Sequence, residues 1–158
     1  MRVIAGRARS LPLKCPEGLQ IRPTTDMMRE SLFNSLGPDI VGRAFCDLYA
    51  GCGGVGIEAL SRGAAPVVFV EKDPRCVKAI EDNLANTRLS GGAVVVRGDA
   101  AAVYVRVAAE HGPFHVIFAD PPYGCEQLGE VARRVVQDGE GVAPGGVVVI
   151  QRSSNQEL

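Results

Sequence analysis

The sequence predicts an α/β fold, a mostly parallel sheet with helices on both faces, and three observations carry that expectation. Short continuous apolar runs such as Val67-Val68-Phe69-Val70 recur along the chain, as strands buried on both faces do. Stretches of helical periodicity separate them, so β and α alternate in the manner of right-handed βαβ units. A G-x-G-x-x-G loop, Gly51-Cys52-Gly53-Gly54-Val55-Gly56, joins the first strand of the series to its helix.

Residues 3–13, with Gly6 near their middle, predict a short strand pair or extended arm. Pro23 biases Arg22 away from helix. A helix follows over 26–36 with Thr24 or Thr25 as N-cap, a buried stripe of Met28, Leu32 and Leu36, and Gly37-Pro38 as its stop. Residues 44–49 predict a strand, 54–62 a helix ended by Gly63, and 67–71 a second strand. Asp73-Pro74 is a cap followed by Pro at the first helical position. It opens a helix to about residue 88 with Val77, Ile80 and Leu84 inward. Residues 93–97 predict a third strand, Asp99 caps a helix to about 110, and 114–119 form the fourth strand. Residues 126–137 predict a helix burying Leu128, Val131 and Val135, and 146–151 the fifth strand.

At 158 residues the chain has one domain's worth of length. It is 46% hydrophobic and 22% charged, with mean hydropathy +0.10, as in ordinary globular proteins. No apolar stretch approaches the ~20 residues of a membrane helix, and the first residues lack a signal-peptide core, so a cytoplasmic chain is expected. The net charge of −1 conceals an asymmetry: residues 1–30 hold six basic and three acidic groups, leaving −4 for the remainder. A basic arm on a mildly acidic body suits phosphate binding, although a solvated hairpin with scattered arginines would look the same. Cys15, Cys46, Cys52, Cys76 and Cys125 show no C-x-x-C pair beside only two histidines, so no zinc site is expected. The odd count predicts free thiols rather than a disulfide framework.

Candidate site residues gather at predicted strand ends. The glycines allow a tight turn and close ligand approach, and Glu71 ends the second strand twenty residues after Gly51, where a carboxylate can accept from a ribose. Asp47 stands four residues before Gly51. A buried carboxylate there would repel a pyrophosphate and attract a cation, which favours S-adenosyl-L-methionine over a dinucleotide; the alternative is a helix or loop cap. Asp99 is read as an acceptor for an adenine amine, as a helix cap, or as both. Asp120-Pro121-Pro122-Tyr123 follows the fourth strand directly. Alone it could be a turn. Beside a glycine loop and Glu71 on one sheet edge, its carboxylate, carbonyl and ring suit the exocyclic amine of a base.

On these residues the chain resembles the bacterial 16S rRNA guanine-N2 methyltransferases of the small subunit. The likeness runs over almost the full length: Arg2-Val3-Ile4-Ala5-Gly6, Arg22-Pro23-Thr24-Thr25-Asp26, Arg29-Glu30-Ser31-Leu32-Phe33-Asn34, the segment from Asp47 through Gly56, Glu58-Ala59-Leu60-Ser61-Arg62-Gly63-Ala64 and the Asp120 corner. The resemblance implies a Rossmann-like class I methyltransferase domain over 24–158 behind a basic arm over 1–23. It implies S-adenosyl-L-methionine at Asp47, Gly51, Gly53, Gly56, Glu71 and Asp99, with Thr24 and Thr25 near the entrance and no metal. Asp120 and the Pro121 carbonyl would hold the guanine amine while Tyr123 packs on the base. Arg2, Arg7, Arg9, Arg22 and Arg29 would meet 16S rRNA or a small-subunit assembly particle, with the protein a monomer. Two departures stand out. Cys52 occupies a position where the family usually has a small hydroxyl residue. Only Ser153–Leu158 follow the fifth strand where the family adds an antiparallel hairpin, so a truncated chain with an exposed edge strand is expected. Rival readings are an amino-methyltransferase of DNA bases or a protein glutamine, a non-catalytic RNA-binding module, and, disfavoured by Asp47, a nucleotide-dependent oxidoreductase.

Overall fold

The computed structural model describes residues 1–18, 24–122 and 128–151. Five parallel strands form one sheet: β1 (Phe45–Leu48), β2 (Val67–Glu71), β3 (Ala93–Arg97), β4 (Phe114–Ala119) and β5 (Val142–Ile150), in the order β3-β2-β1-β4-β5. Chain order reverses between β1 and β4, which pair in register with Leu48 beside Ala119. A crevice outside the carboxyl ends of such neighbours is where ligands bind in open α/β sheets.

The helices are α1 (Asp26–Leu36), α2 (Gly54–Ser61), α3 (Pro74–Thr87), α4 (Ala100–His111) and α5 (Leu128–Ala132), the last continued by a π-helical segment, Arg133–Gln137. The period-2 alternation of strand side chains divides the interior into two cores. Phe45, Val67, Phe69, Val116 and Phe118 pack with Phe33, Ile57, Leu60, Ile80 and Leu84 on one face. Cys46, Leu48, Val68, Val70, Ile117 and Ala119 pack with Tyr104, Val107, Val131 and Val135 on the other. Asp47 therefore points to the same face as Phe45, beneath α2.

Strand and helix positions follow the sequence expectation closely, and the exceptions have physical causes. The inward face of α1 is Arg29 and Phe33, flanked by Leu32 and Leu36, while Met28 is 39% exposed. A buried ion pair sets this rotation, because Arg29 Nη1 lies 3.4 Å from Glu58 Oε1 and both side chains are fully buried. β5 begins at Val142, four residues before the predicted start. The arm is a tight antiparallel turn: Val3 N–H donates to Leu11 O, Ser10 N–H to Val3 O and Leu13 N–H to Met1 O, around one bridge between Arg2 and Pro12. Arg22, Tyr123, Cys125, the first two residues of the predicted fifth helix and Ser153–Leu158 lie outside the described residues, and so does the predicted boundary of the arm at residue 23.

The expectation of free thiols is corrected for one pair. Cys15 and Cys52 form a disulfide with Cα atoms 5.3 Å apart, whereas Cys46 and Cys76 are free and buried. Asn83 bridges the two chain segments beside it: its Oδ1 accepts from Lys14 N–H at 2.9 Å, and its Nδ2 donates to the carbonyls of Lys14 and Cys52. Nothing in a 37-residue separation announces such a pairing. Closing a loop of that length stabilises the fold by roughly 3–4 kcal/mol through the unfolded chain. Denaturant unfolding with and without reductant is expected to show a loss of that size, and a Cys15→Ser variant should be insensitive to reductant.

Candidate functional site

A cleft of about 1110 Å³ opens at the carboxyl ends of β1, β2 and β4. Each strand contributes a carboxylate at or near its end: Asp47 from β1, Glu71 from β2 and Asp120 just beyond β4. Asp99 and Thr24 also line it, as do Gly51, Pro121 and Pro122.

Asp47 is the buried anchor, 1% exposed. Its Oδ2 accepts from Gly56 N–H at 3.0 Å. That approach requires α2 to lie close on the sheet, and Gly56 permits it: a Cβ there would collide with the Phe69 ring. Gly56→Ala should accordingly lower stability by about 1–3 kcal/mol, measurable by denaturant unfolding. Gly53 has φ +87°, and a Cβ on it would face Ile80, Ile57 and Phe69 at 3.2–3.4 Å. Gly53 and Gly56 thus shape the turn and the helix packing. Expected as cofactor contacts, they are not among the residues lining the cleft, where Gly51, Gly54 and Val55 stand instead.

Burial pushes the Asp47 carboxyl well above the usual carboxylate range. The Gly56 N–H opposes this, and the nearby charges of Asp120 and Glu71 add to it. The described lining carries five carboxylates (Asp47, Glu71, Asp73, Asp99 and Asp120) against Lys72 and Arg75, and Arg75 is paired with Asp73 at 2.9 Å. An ionised Asp47 in this setting calls for a cation, so the donor set fits a cofactor carrying positive charge and does not fit a pyrophosphate. Glu71 already accepts from Gly51 N–H through Oε1 and from Asp73 N–H through Oε2, each at 2.9 Å. Each oxygen keeps a second acceptor site for a hydroxyl. In this way Glu71 positions the glycine loop as well as lining the cleft. Asp99 accepts from Ala101 N–H as the cap of α4 and also lines the cleft.

The two threonines separate. Thr25 caps α1, with Oγ1 accepting from Met28 N–H at 3.2 Å, and Thr24 lines the cleft. Arg2, Arg7 and Arg9 are exposed. Arg7 N–H donates to Ser61 O at the far end of α2 from the cleft, about 12 Å away for an eight-residue helix. Arg29 is a correction. Expected at RNA, it is 0% exposed and bound to Glu58, Asp26 and Arg2 O, because a guanidinium in an apolar interior needs carboxylate and carbonyl partners.

Sequence reasoning missed Gly54, Val55, Lys72, Arg75 and Cys76 in the lining. Their nearness to the loop and to Glu71 was the available signal. Burial raises the Cys76 thiol to about 11, so it presents no thiolate at neutral pH. Among the described residues no group of His, Cys, Asp and Glu could hold a metal ion, and no helix is long and apolar enough to cross a membrane.

The family described as Conserved hypothetical protein 95 matches residues 1–158. Ribosomal RNA small subunit methyltransferase D of Escherichia coli K12 is 37% identical over 139 residues, covering 88% of this chain and 68% of its own length. The protein of the same name from Haemophilus influenzae is 32% identical over 160 residues, covering 100% of this chain and 81% of its own. The solved structure of a hypothetical protein from Thermus thermophilus superposes with a TM-score of 0.85 at 34% identity, covering 100% of this chain and 89% of its own. A switch-point cleft, a glycine loop over a buried aspartate and these likenesses agree: the chain belongs to the Conserved hypothetical protein 95 family and has the Rossmann-like fold of class I S-adenosyl-L-methionine-dependent methyltransferases.

Proposed function

We propose that the protein transfers a methyl group from S-adenosyl-L-methionine to the exocyclic N2 amine of a guanine in 16S rRNA. The observation that carries the reading is the placement of Asp120 and Pro121 on the cleft that Asp47 and the glycine loop build from the other side of the β1/β4 switch point. The names of the Escherichia coli and Haemophilus influenzae relatives support small-subunit rRNA as the substrate class.

Asp47, Glu71, Asp99 and Gly51 bind the cofactor in this scheme, with Thr24 at the entrance and Thr25 fixing the helix behind it. When bound, S-adenosyl-L-methionine supplies an electrophilic methyl on a cationic sulfur that leaves as a neutral thioether, so the leaving group needs no acid. The difficulty lies in the nucleophile, whose lone pair is delocalised into the guanine ring. Asp120 and the Pro121 carbonyl accept the two amine hydrogens and favour a pyramidal nitrogen, and Tyr123 packs on the base. The nitrogen lone pair forms the new N–C bond, and the proton the nitrogen then sheds goes to Asp120 or through it to water. Orientation at ~3–3.5 Å supplies most of the acceleration. The guanine must leave its stack to enter, which an rRNA loop allows at low cost. Arg2, Arg7, Arg9 and Arg22 supply phosphate contacts on the arm side, and the protein works as a monomer in the cytoplasm.

The test offers methyl-tritiated S-adenosyl-L-methionine with small-subunit particles, naked rRNA, duplex DNA or a protein extract. Label recovered in a methylguanine nucleoside is expected. Label in DNA or a glutamine would move the substrate class. Absence of label with RNA retained on a filter would make the chain a binding module.

A further inference from the structure

Behind the glycine loop lies a buried network that the chemistry above does not use. Glu58, one turn into α2, is 0% exposed, and its carboxylate collects four donors. Ile4 N–H reaches Oε1 at 2.8 Å and Ala5 N–H reaches Oε2 at 3.1 Å. Arg62 Nε approaches Oε2 at 2.9 Å, and Arg29 Nη1 approaches Oε1 at 3.4 Å. Arg29 carries the connection onward. Its Nη2 donates to Arg2 O at 2.8 Å and to Asp26 in the first turn of α1. Its Cδ stands 3.8 Å from where a Cβ of Gly54 would be. Gly54 is the first residue of α2 and lines the cleft, as does Thr24 just ahead of α1.

We infer that Arg29 and Glu58 form a positioning pair that fixes the glycine loop for the cofactor and couples it to α1 and the arm. The inference rests on the reading of the cleft as the cofactor site. A carboxylate of this kind inside a buried helix that is apolar apart from Ser61, Gly54-Val55-Gly56-Ile57-Glu58-Ala59-Leu60-Ser61, costs stability unless every lone pair is used. What it gives in return is geometry: α2 can take one rotation, with Gly56 N–H on Asp47 and Gly54 against Met1 of the arm and Arg29. Uncharged packing of equal volume would hold α2 as firmly against the sheet but leave its rotation and axial register loosely set. The arm is correspondingly part of the cofactor site's frame rather than an appendage for RNA alone.

The test uses the full chain without RNA. Glu58→Gln keeps the shape and loses the charge; Arg29→Lys keeps the charge and loses the fork, and stands in if the first variant folds poorly. Ser61→Ala is the control. It removes the Ser61 side-chain bonds between arm and α2, from Ala8 N–H and to Ala5 O, and leaves the backbone bond from Arg7 N–H to Ser61 O and the pair intact. Hydrogen exchange of amides 51–57 and calorimetric binding of S-adenosyl-L-methionine are both read. For Glu58→Gln, loop amides should exchange at least about tenfold faster and the Kd should rise about tenfold. For Ser61→Ala the melting temperature should fall while the Kd stays within about twofold. Equal effects of the two variants on the loop, or no change in loop exchange for Glu58→Gln and Arg29→Lys, would overturn the inference. Failure of the wild-type chain to bind the cofactor would instead sink the functional reading, and the exchange data on the unliganded chain would still decide the role of the pair.

Discussion

Asp120→Ala is expected to lower single-turnover methyl transfer by at least the ~10²–10⁴ that a positioned acid–base group contributes, and by more where orientation is lost as well. Its carboxylate leaves the strand end next to Pro121, so the amine would keep the carbonyl as its one acceptor. Asp120→Asn separates the two contributions. An amide oxygen still accepts one amine hydrogen but takes no proton, so Asn should retain more activity than Ala while staying well below wild type. Rapid-quench assays with the same rRNA preparation measure both. Transfer by Asp120→Ala within about tenfold of wild type would remove Asp120 from the reaction.

Asp47→Asn is expected to act in opposite directions on binding and on stability. The Gly56 N–H bond survives, since an amide oxygen replaces Oδ2, but the charge that faces a cationic ligand is gone. Cofactor affinity should fall at least tenfold, about 1.4 kcal/mol. The unliganded variant should nonetheless melt higher than wild type at neutral pH. Burial, with Asp120 and Glu71 close by, raises the folded-state pKa of Asp47 above its unfolded value. The folded protein therefore binds the proton more tightly, and the stability this gives is fully present below the ordinary carboxylate pKa. It is lost as pH rises through the raised value. Asn escapes that loss, so the variant's advantage should grow from acid to neutral pH. Thermal melts across a pH series check this, and a variant less stable than wild type at pH 7 would contradict it.

The strands were legible because β1 to β4, apart from Asp47, His115 and the strand-end Glu71 and Arg97, are apolar on both faces, and a sheet covered twice needs that. Helix ends were legible because Asp73-Pro74, Asp99 and Gly37 act through local hydrogen bonds and dihedral limits. The strand-end carboxylates followed from the same map, since placing a strand places the residue beyond it. What escaped depends on distant partners. Arg29 reads as a surface cation until Glu58, 29 residues later, is known to lie beneath it. The signal was there in Glu58 itself, a lone charge in a helix with no polar face. Gly53 and Gly56 share a motif with Gly51, yet the motif cannot say which glycine faces the ligand and which faces Phe69. Cys15 and Cys52 meet across a separation of 37 residues, where Asn83 bonds to Lys14 and to the Cys52 carbonyl.

The central claim is a division of labour across the switch point, with Asp47 holding the cofactor and Asp120 the acceptor amine. Calorimetric titration of S-adenosyl-L-methionine into wild type, Asp47→Asn and Asp120→Ala tests it most directly. The expected result is a Kd for Asp120→Ala within about threefold of wild type, and a Kd for Asp47→Asn at least about tenfold weaker. Loss of binding in Asp120→Ala with binding kept in Asp47→Asn would contradict the account.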